Sequence, residues 1–168
     1  RGTLDFLGVN YYSRDFIRFS GFPFRNVFGS ICDKAHHMDQ IEELNMMGWE
    51  VYPKGFYHLL KRTKKYKLPV LVTENGICTL DDIQRERYID SHLSMVKRLR
   101  QEKVPIQGYF HWSLLDNYEW AHGFGPRFGI IEMNYQTMQK KIRRSAQTLT
   151  QICRSIMQEA DDDTKRLI

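Results

Sequence analysis

Three short apolar runs recur along the chain, at Asp5–Asn10, Pro69–Val72 and Ile106–Trp112. Each is too short for a helix, and the second is half β-branched and lies between segments with a helical period. That pattern is typical of strands in a parallel sheet that is buried on both faces. We therefore predict three strands, with a further short extended segment at Phe128–Met133.

Longer segments between these runs carry apolar residues at every third or fourth position, which predicts amphipathic helices. The first helix opens at Pro53, because proline suits the first turn of a helix. The second follows capping side chains at 79–82 and ends near Lys103, and the third runs from about Lys141 to Met157. The order is thus strand, loop and helix, repeated three times.

This alternation predicts an α/β fold with parallel strands and right-handed crossovers. Three strands alone would leave both outer edges unpaired. A closed (β/α)8 barrel needs about 250 residues, so if this sheet belongs to a barrel, the chain holds only its last part. The start at Arg1, without a methionine, fits that expectation. We assign residues 1–160 to three strand–helix units and 161–168 to an acidic, frayed tail.

Two long segments without clear periodicity separate these elements, at 14–50 and 113–127. Long ordered loops in compact domains are usually functional. We therefore expect the chemistry of the protein to draw on these loops and on the strand ends beside them.

Composition excludes several classes of protein. The 168 residues are 42% hydrophobic and 27% charged, as in an ordinary globular domain. No apolar run approaches the roughly 18 residues of a membrane span, so we expect no membrane association. The three cysteines are far apart, without metal-ligand spacing, which indicates inert thiols in the reducing cytoplasm and neither a metal nor a cofactor.

The net charge of +5 raises the question of a nucleic-acid partner. The basic residues concentrate at 61–67 and 140–144. The first cluster falls at the end of a predicted helix, where cations complement the helix dipole, and the second opens the last helix. No nucleic-acid motif accompanies either cluster, so we interpret both as solvated faces and expect no nucleic-acid binding.

Glu74 is the leading candidate for chemistry. The run before it breaks into Thr73-Glu74-Asn75-Gly76, so the carboxylate lies at the carboxyl end of a predicted buried strand. In parallel α/β folds these strand ends face the ligand. The alternative, an acid that caps a helix or faces solvent in a loop, remains open from this tetrapeptide alone.

The other strand ends strengthen the first interpretation. They bring Asn10 with Tyr12, and Trp112, to the same edge, and the following loop adds Asp116–Trp120. Indole rings stack on the apolar faces of sugars, and carboxylates bind sugar hydroxyls. A tyrosine hydroxyl beside Glu74 would keep that carboxylate oriented and ionised, which suits a nucleophile. Core packing for Trp112 and simple solvation for Glu119 are the alternatives.

Four segments together carry a family resemblance. They are Asp5–Tyr12, Val72–Gly76, Trp112–Trp120 and Arg127–Gly129. In this order they resemble the C-terminal portion of a glycoside hydrolase family 1 β-glucosidase. The resemblance implies the C-terminal portion of a TIM (β/α)8 barrel, incomplete as given, with strands six to eight. It also implies a retaining glycosidase of carbohydrate metabolism.

The resemblance also implies roles for individual residues. Glu74 would be the nucleophile, with Tyr12 hydrogen-bonded to it and Asn10 close to the sugar 2-hydroxyl. The remaining implied sugar-binding residues are Trp112 as the subsite floor, Glu119 and Trp120 on the far hydroxyls, and Phe128 near the 6-position. The branch of the family that acts on 6-phosphoglycosides tends to carry serine at the position of Glu119. A carboxylate would repel a phosphate, so an unphosphorylated β-glucoside or related β-hexoside is the expected substrate.

Two departures limit this expectation. The family's acid/base lies in an Asn-Glu-Pro motif on an earlier strand, and the sequence contains no such tripeptide. Lys54 stands where the family usually has an acid, which we interpret as a surface difference. The chain would then hold the nucleophile half of a site and be inactive alone. The alternative is a non-catalytic remnant, or a split-enzyme module that pairs with a separate N-terminal polypeptide.

Overall fold

The computed structural model describes residues 2–18 and 29–165. The helices and strands in chain order are β1 (Leu7–Tyr11), β2 (Ile17–Arg18), β3 (Ser30–Ile31), α1 (Pro53–Thr63), β4 (Val70–Asn75), α2 (Asp82–Gln101), β5 (Ile106–His111), β6 (Ile131–Met133), β7 (Lys140–Ile142) and α3 (Arg144–Lys165). Short 3₁₀ helices occupy Lys34–Gln40, Lys64–Tyr66 and Trp120–His122. Part of the predicted loop at 14–50, namely 19–28, lies outside the described residues.

The central sheet has three parallel strands in the order β1-β4-β5. Val72 of β4 pairs with Val9 on one side and Tyr109 on the other. Since all three strands run the same way, their carboxyl ends meet at one edge. The predicted α/β class, its three strands and their parallel arrangement are confirmed.

The helices cover one face of this sheet only. Val70 and Val72 are fully buried there, in a core shared with Phe56, Ile89 and Leu93 of the helices. The opposite face is open, and Phe110 on it is 58% exposed. The prediction of strands buried on both faces is therefore wrong for the chain as it stands, because nothing among the described residues covers the second face.

Strand β4 is longer than the apolar run that predicted it. Its pairing with β1 continues through Asn10 opposite Glu74 and Tyr11 opposite Asn75. Glu74 thus lies inside the strand, one residue before its end, and not in a turn after it. Pairing with the neighbouring strand, which hydrophobicity does not report, sets this boundary.

The helix boundaries follow the sequence signals at α1 and α2. Pro53 opens α1, and the Asp81 side chain caps α2 by accepting from the Ile83 amide at 2.9 Å. At α3 the prediction is wrong, because Lys140–Ile142 forms β7 and pairs with β6 in an antiparallel hairpin. The helix begins only at Arg144 and continues to Lys165, beyond the last predicted apolar position.

The charged residues, the helices and the cysteines also bear on the sequence expectations. Two residues of the second basic cluster form ion pairs, Arg143 with Asp116 and Arg144 with Glu86. No helix within residues 2–18 and 29–165 is long and apolar enough to cross a membrane. All three cysteines are free thiols, with Cys78 buried and Cys153 exposed.

Candidate active site

The ends of the three parallel strands bring the candidate residues to one edge of the sheet. Tyr12 directly follows β1, Glu74 is the penultimate residue of β4, and Trp112 directly follows β5. The predicted convergence of these strand ends is what the parallel sheet produces.

Tyr12 and Glu74 are in direct contact. The Tyr12 hydroxyl donates to Oε2 of Glu74 at 2.7 Å. Burial raises the pKa of Tyr12 well above that of a free phenol, and the hydrogen bond to Glu74 and the charges of Glu74 and Glu119 raise it further. Tyr12 therefore remains a protonated donor at ordinary pH and fixes one oxygen of the carboxylate.

Asn75 fixes the strand end that carries Glu74. Its side-chain amide donates to the Tyr11 carbonyl at 2.7 Å and to the Tyr88 hydroxyl at 2.8 Å, and its oxygen accepts from the Tyr109 hydroxyl at 2.9 Å. This fully buried side chain joins β1, α2 and β5 around β4. Local sequence did not indicate this role, because none of the three partners is close to Asn75 in the chain.

Gly76 is required by close packing at the end of β4. A β-carbon at this position would overlap the carbonyl oxygen of Trp112. The glycine is needed because the chain that leaves β5 passes directly against it. It thereby keeps Trp112 close to the end of β4.

An aromatic wall surrounds the Tyr12 side chain. The ring of Trp49 lies 5.6 Å from that of Tyr12 and that of Phe128 lies 6.1 Å from it, both edge-on. Trp49 and Phe128 are also 6.2 Å apart. Phe128, named from the sequence, is 1% exposed, whereas Trp49 was missed. A tryptophan in a long loop just before a helix start was the signal that could have found it.

The remaining candidate residues lie around the Tyr12–Glu74 pair. Asn10 lies on the open face of the sheet, and its side-chain oxygen accepts from the Thr73 hydroxyl at 2.6 Å. Trp112 is half-buried and donates its backbone amide to Asn75 at 2.9 Å. Glu119 is half-buried and close enough to raise the pKa of Tyr12, whereas Trp120 is 79% exposed.

Asp116 belongs to the framework and not to the sugar-binding set in which sequence analysis placed it. Its buried carboxylate pairs with Arg143 at 3.0 Å and Arg127 at 3.3 Å. It also accepts from the Gly129 amide at 2.9 Å. Burial alone would raise the pKa of Asp116, but the hydrogen bond and charge of Arg143 outweigh it and lower the pKa. This network holds the loop after β5 against the β6–β7 hairpin.

The arrangement combines a carboxylate with aromatic rings, which suits chemistry on a carbohydrate. Across the described ranges, no group of three or more His, Cys, Asp or Glu side chains is placed to hold a metal ion. The described site offers an oriented carboxylate, a protonated phenol and several aromatic rings. These groups can support nucleophilic attack and stacking on a sugar ring.

Comparison with known proteins identifies the family. The sequence model of Glycosyl hydrolase family 1 matches residues 1–157. The chain belongs to glycosyl hydrolase family 1. The resemblance given by the four sequence segments is confirmed.

Curated relatives in family 1 include two kinds of glycosidase. A beta-galactosidase of Sulfolobus acidocaldarius is 40% identical over 158 residues, which cover 92% of this chain and 32% of the relative. Beta-glucosidase A of Thermotoga maritima is 36% identical over 154 residues, covering 84% of this chain and 32% of the relative. The chain thus spans about a third of the length of the curated relatives it matches.

Solved family 1 structures agree with the fold. The beta-glycosidase from Pyrococcus horikoshii matches with a TM-score of 0.76 and 44% identity, covering 84% of this chain and 32% of that one. The family 1 b-glucosidase from Thermotoga maritima matches with a TM-score of 0.75 and 36% identity, covering 85% and 33%. These family 1 neighbours are TIM barrels, so the sheet of this chain corresponds to part of such a barrel.

Proposed function

We propose that this chain supplies the nucleophile half of a retaining O-glycoside hydrolase site that acts on β-glucosides or related β-hexosides. The observation that carries the proposal is the 2.7 Å hydrogen bond from Tyr12 to Glu74, at adjacent strand ends of a family 1 chain. In this mechanism Glu74 attacks the anomeric carbon, the aglycone oxygen leaves, and a covalent glycosyl-enzyme forms. Water then releases the sugar, and the anomeric configuration is retained.

Tyr12 acts on the nucleophile in this scheme. Its hydroxyl donates to Oε2, so the other oxygen of Glu74 is the one that attacks. This hydrogen bond holds the carboxylate in one orientation. The raised pKa of Tyr12 keeps its proton in place as a donor.

The proposed subsite uses the residues around this pair. Trp112 forms its floor, Phe128 lines it near the sugar 6-position, and Asn10 lies near the 2-hydroxyl. Glu119 and Trp120 bind the hydroxyls on the far side of the ring. The carboxylate of Glu119 favours neutral hydroxyls over a phosphate, which supports an unphosphorylated hexoside as substrate.

Hydrolysis by retention also needs a second carboxyl about 5 to 5.5 Å from the nucleophile, to protonate the leaving oxygen. The Asn-Glu-Pro tripeptide that would carry it is absent from the sequence. We propose that the chain corresponds to the C-terminal third of a barrel, with strands six to eight, and that it is inactive alone. General acid catalysis contributes about 10² to 10⁴ in rate, and the missing strands add positioning.

Covalent trapping tests the assignment of the nucleophile. An activated 2-deoxy-2-fluoro β-glucoside reacts with the nucleophile and leaves a stable adduct, which peptide mapping locates. We expect the label on Glu74, in the chain combined with the rest of a family 1 barrel, and no label in Glu74→Gln. Glu42→Gln is the matched control, because it removes an exposed carboxylate outside the proposed site and keeps the nucleophile. A label on another residue would refute the assignment.

A second candidate is a non-catalytic remnant or a module that pairs with a separate N-terminal polypeptide. The open face of the sheet favours the paired module, because Phe6 and Phe110 are 49% and 58% exposed on the chain alone. Mixing with the remaining two-thirds of a family 1 barrel should produce aryl β-glucosidase activity from two inactive parts. Activity of the isolated 168-residue chain at ordinary enzyme rates would contradict the incomplete site.

The free thiols fit a cytoplasmic location.

A further inference from the structure

A partly buried ion pair connects two loops beside the candidate site. Arg14, two residues after Tyr12, donates Nε to Oε2 of Glu50 at 2.7 Å and Nη2 to Oε1 at 3.0 Å. The Glu50 side chain is 1% exposed and that of Arg14 is 29% exposed. A bidentate guanidinium–carboxylate pair fixes both the distance and the relative orientation of its partners. The pair therefore sets how the segment before α1 lies against the segment after β1.

Further contacts hold Arg14 in place. Its guanidinium lies over the ring of Tyr52 at 3.8 Å and also donates to the carbonyl of Gln40 at 3.1 Å. The hydroxyl of Tyr11 donates to the backbone carbonyl of Tyr52 at 2.7 Å. The segment around Glu50 thus contacts the chain both before and after Tyr12, through Tyr11 and through Arg14.

Trp49 links this pair to the site. It precedes Glu50 in the chain, and its ring meets the edge of Tyr12 at 5.6 Å. Trp49 also contacts Phe128, with the two ring centroids 6.2 Å apart. The backbone of Trp49 is itself fixed, since its amide donates to Oδ1 of Asn45 at 3.0 Å and its carbonyl accepts from the Asn45 amide at 2.9 Å. The next residue, Glu50, is paired with Arg14, so Trp49 is held on both sides where it contacts the Tyr12 ring.

We propose that Glu50 is a positioning residue: paired with Arg14, it holds Trp49 edge-on against Tyr12 and so keeps the Tyr12 hydroxyl on Glu74. The catalytic meaning of this positioning rests on the proposed function, since it matters only if Glu74 is the nucleophile. The geometry itself does not depend on that function, and its test does not either. A buried carboxylate that only stabilised the fold would leave the Tyr12 hydroxyl unchanged once folding was accounted for.

Nitration by tetranitromethane, read by peptide mapping of the 168-residue chain, tests the proposal. The reagent attacks the phenolate, so the raised pKa of Tyr12 protects it. Tyr66 is 57% exposed and serves as the internal reference, and Tyr88, 2% exposed, reports general loss of structure. In Glu50→Gln the rate at Tyr12 relative to Tyr66 should rise about tenfold, which corresponds to a fall of about one in the pKa of Tyr12.

Two further variants complete the test. Arg14→Lys keeps the positive charge but loses the bidentate contact with Glu50. We expect the nitration rate at Tyr12 to rise in this variant too. Glu102→Gln is the matched control. Glu102 forms an ion pair with Lys61 and accepts a hydrogen bond from Tyr57, and this cluster is remote from Tyr12. It should leave the Tyr12 rate unchanged.

The nitration rates distinguish a positioning role of Glu50 from a purely stabilising one. An unchanged Tyr12 rate in both Glu50→Gln and Arg14→Lys overturns the proposal. A parallel rise at Tyr88 in both variants also overturns it, because the pair would then stabilise the fold as a whole. If Glu50→Gln does not fold, the Arg14→Lys result decides. Failure of covalent trapping together with a selective rise at Tyr12 would reject the glycosidase assignment and leave the positioning role standing.

Discussion

At the scale of single residues, the candidate site depends on one hydrogen bond. Tyr12 holds Oε2 of Glu74 at 2.7 Å, and burial together with that carboxylate keeps the phenol protonated. A hydrogen bond to a charged group is worth about 1.5 to 3 kcal/mol. Because this bond orients the proposed nucleophile, its loss should affect the formation of the covalent intermediate.

Removal of the hydroxyl in Tyr12→Phe tests this. We expect the rate of covalent labelling at Glu74, in the completed barrel, to fall about ten- to a hundredfold, which is the rate equivalent of the lost bond. The measurement is the pre-steady-state burst with an activated fluoroglycoside. Tyr66→Phe removes an exposed hydroxyl elsewhere and should change nothing. Equal labelling rates in Tyr12→Phe and the unmodified protein would show that the bond is dispensable.

At the scale of elements, Asn75 joins the three strands to a helix. Its side chain makes hydrogen bonds to Tyr11, Tyr88 and Tyr109, all of them buried or partly buried. Buried polar groups that lose their partners cost about 1 to 3 kcal/mol each. The end of β4 is therefore fixed by side-chain bonds as well as by the sheet, which suits a strand that carries the proposed nucleophile.

Asn75→Ala should be strongly destabilising. It leaves the Tyr11 carbonyl and the hydroxyls of Tyr88 and Tyr109 without their partner, and we expect a loss of about 2 to 4 kcal/mol in the free energy of unfolding. Urea denaturation of the described fold measures it. The control is Asn134→Ala in the exposed β6–β7 turn, which should cost less than about 1 kcal/mol. Similar costs for the two variants would contradict the joining role of Asn75.

At the scale of the whole molecule, two histidines with buried ring nitrogens limit stability in acid. Burial lowers the pKa of His92 to about 4. Burial lowers that of His111 to about 3, with the charges of Arg85 and His92 acting in the same direction. Neither ring nitrogen of His111 has a hydrogen-bond partner among the described residues. Protonation therefore favours the unfolded chain, in which both side chains titrate near their ordinary pKa of about 6.5.

Stability should accordingly fall as the pH is lowered from about 6.5 toward 4. In this window the unfolded chain binds more protons than the folded one, so the free energy of unfolding rises with pH, by up to about 1.4 kcal/mol per pH unit for each histidine. Urea titrations at a series of pH values measure the slope. His92→Gln should reduce it, whereas the exposed His58→Gln should not. A flat profile between pH 6.5 and 4 would contradict this account.

Much of the candidate site could be predicted from local sequence. The apolar run before Glu74 indicated a buried strand, and the positions of Tyr12 and Trp112 after similar runs placed them at the same edge of a parallel sheet. The placement of these residues followed from the sequence because hydrophobic pattern and strand direction are encoded within a few neighbouring residues. Their roles came from the family motifs and stay predictions.

Other features depended on contacts between distant parts of the chain. Local sequence was enough to predict the three strands of the sheet, their parallel arrangement and Glu74 near a strand end. Three further contacts exist only in the folded chain: Asn75 bonds to Tyr88 and Tyr109, Asp116 pairs with Arg143, and Trp49 contacts Tyr12. The physical reason is that hydrophobic periodicity reports which side a residue faces, whereas a buried hydrogen bond or ring contact requires a partner that folding brings from far along the chain.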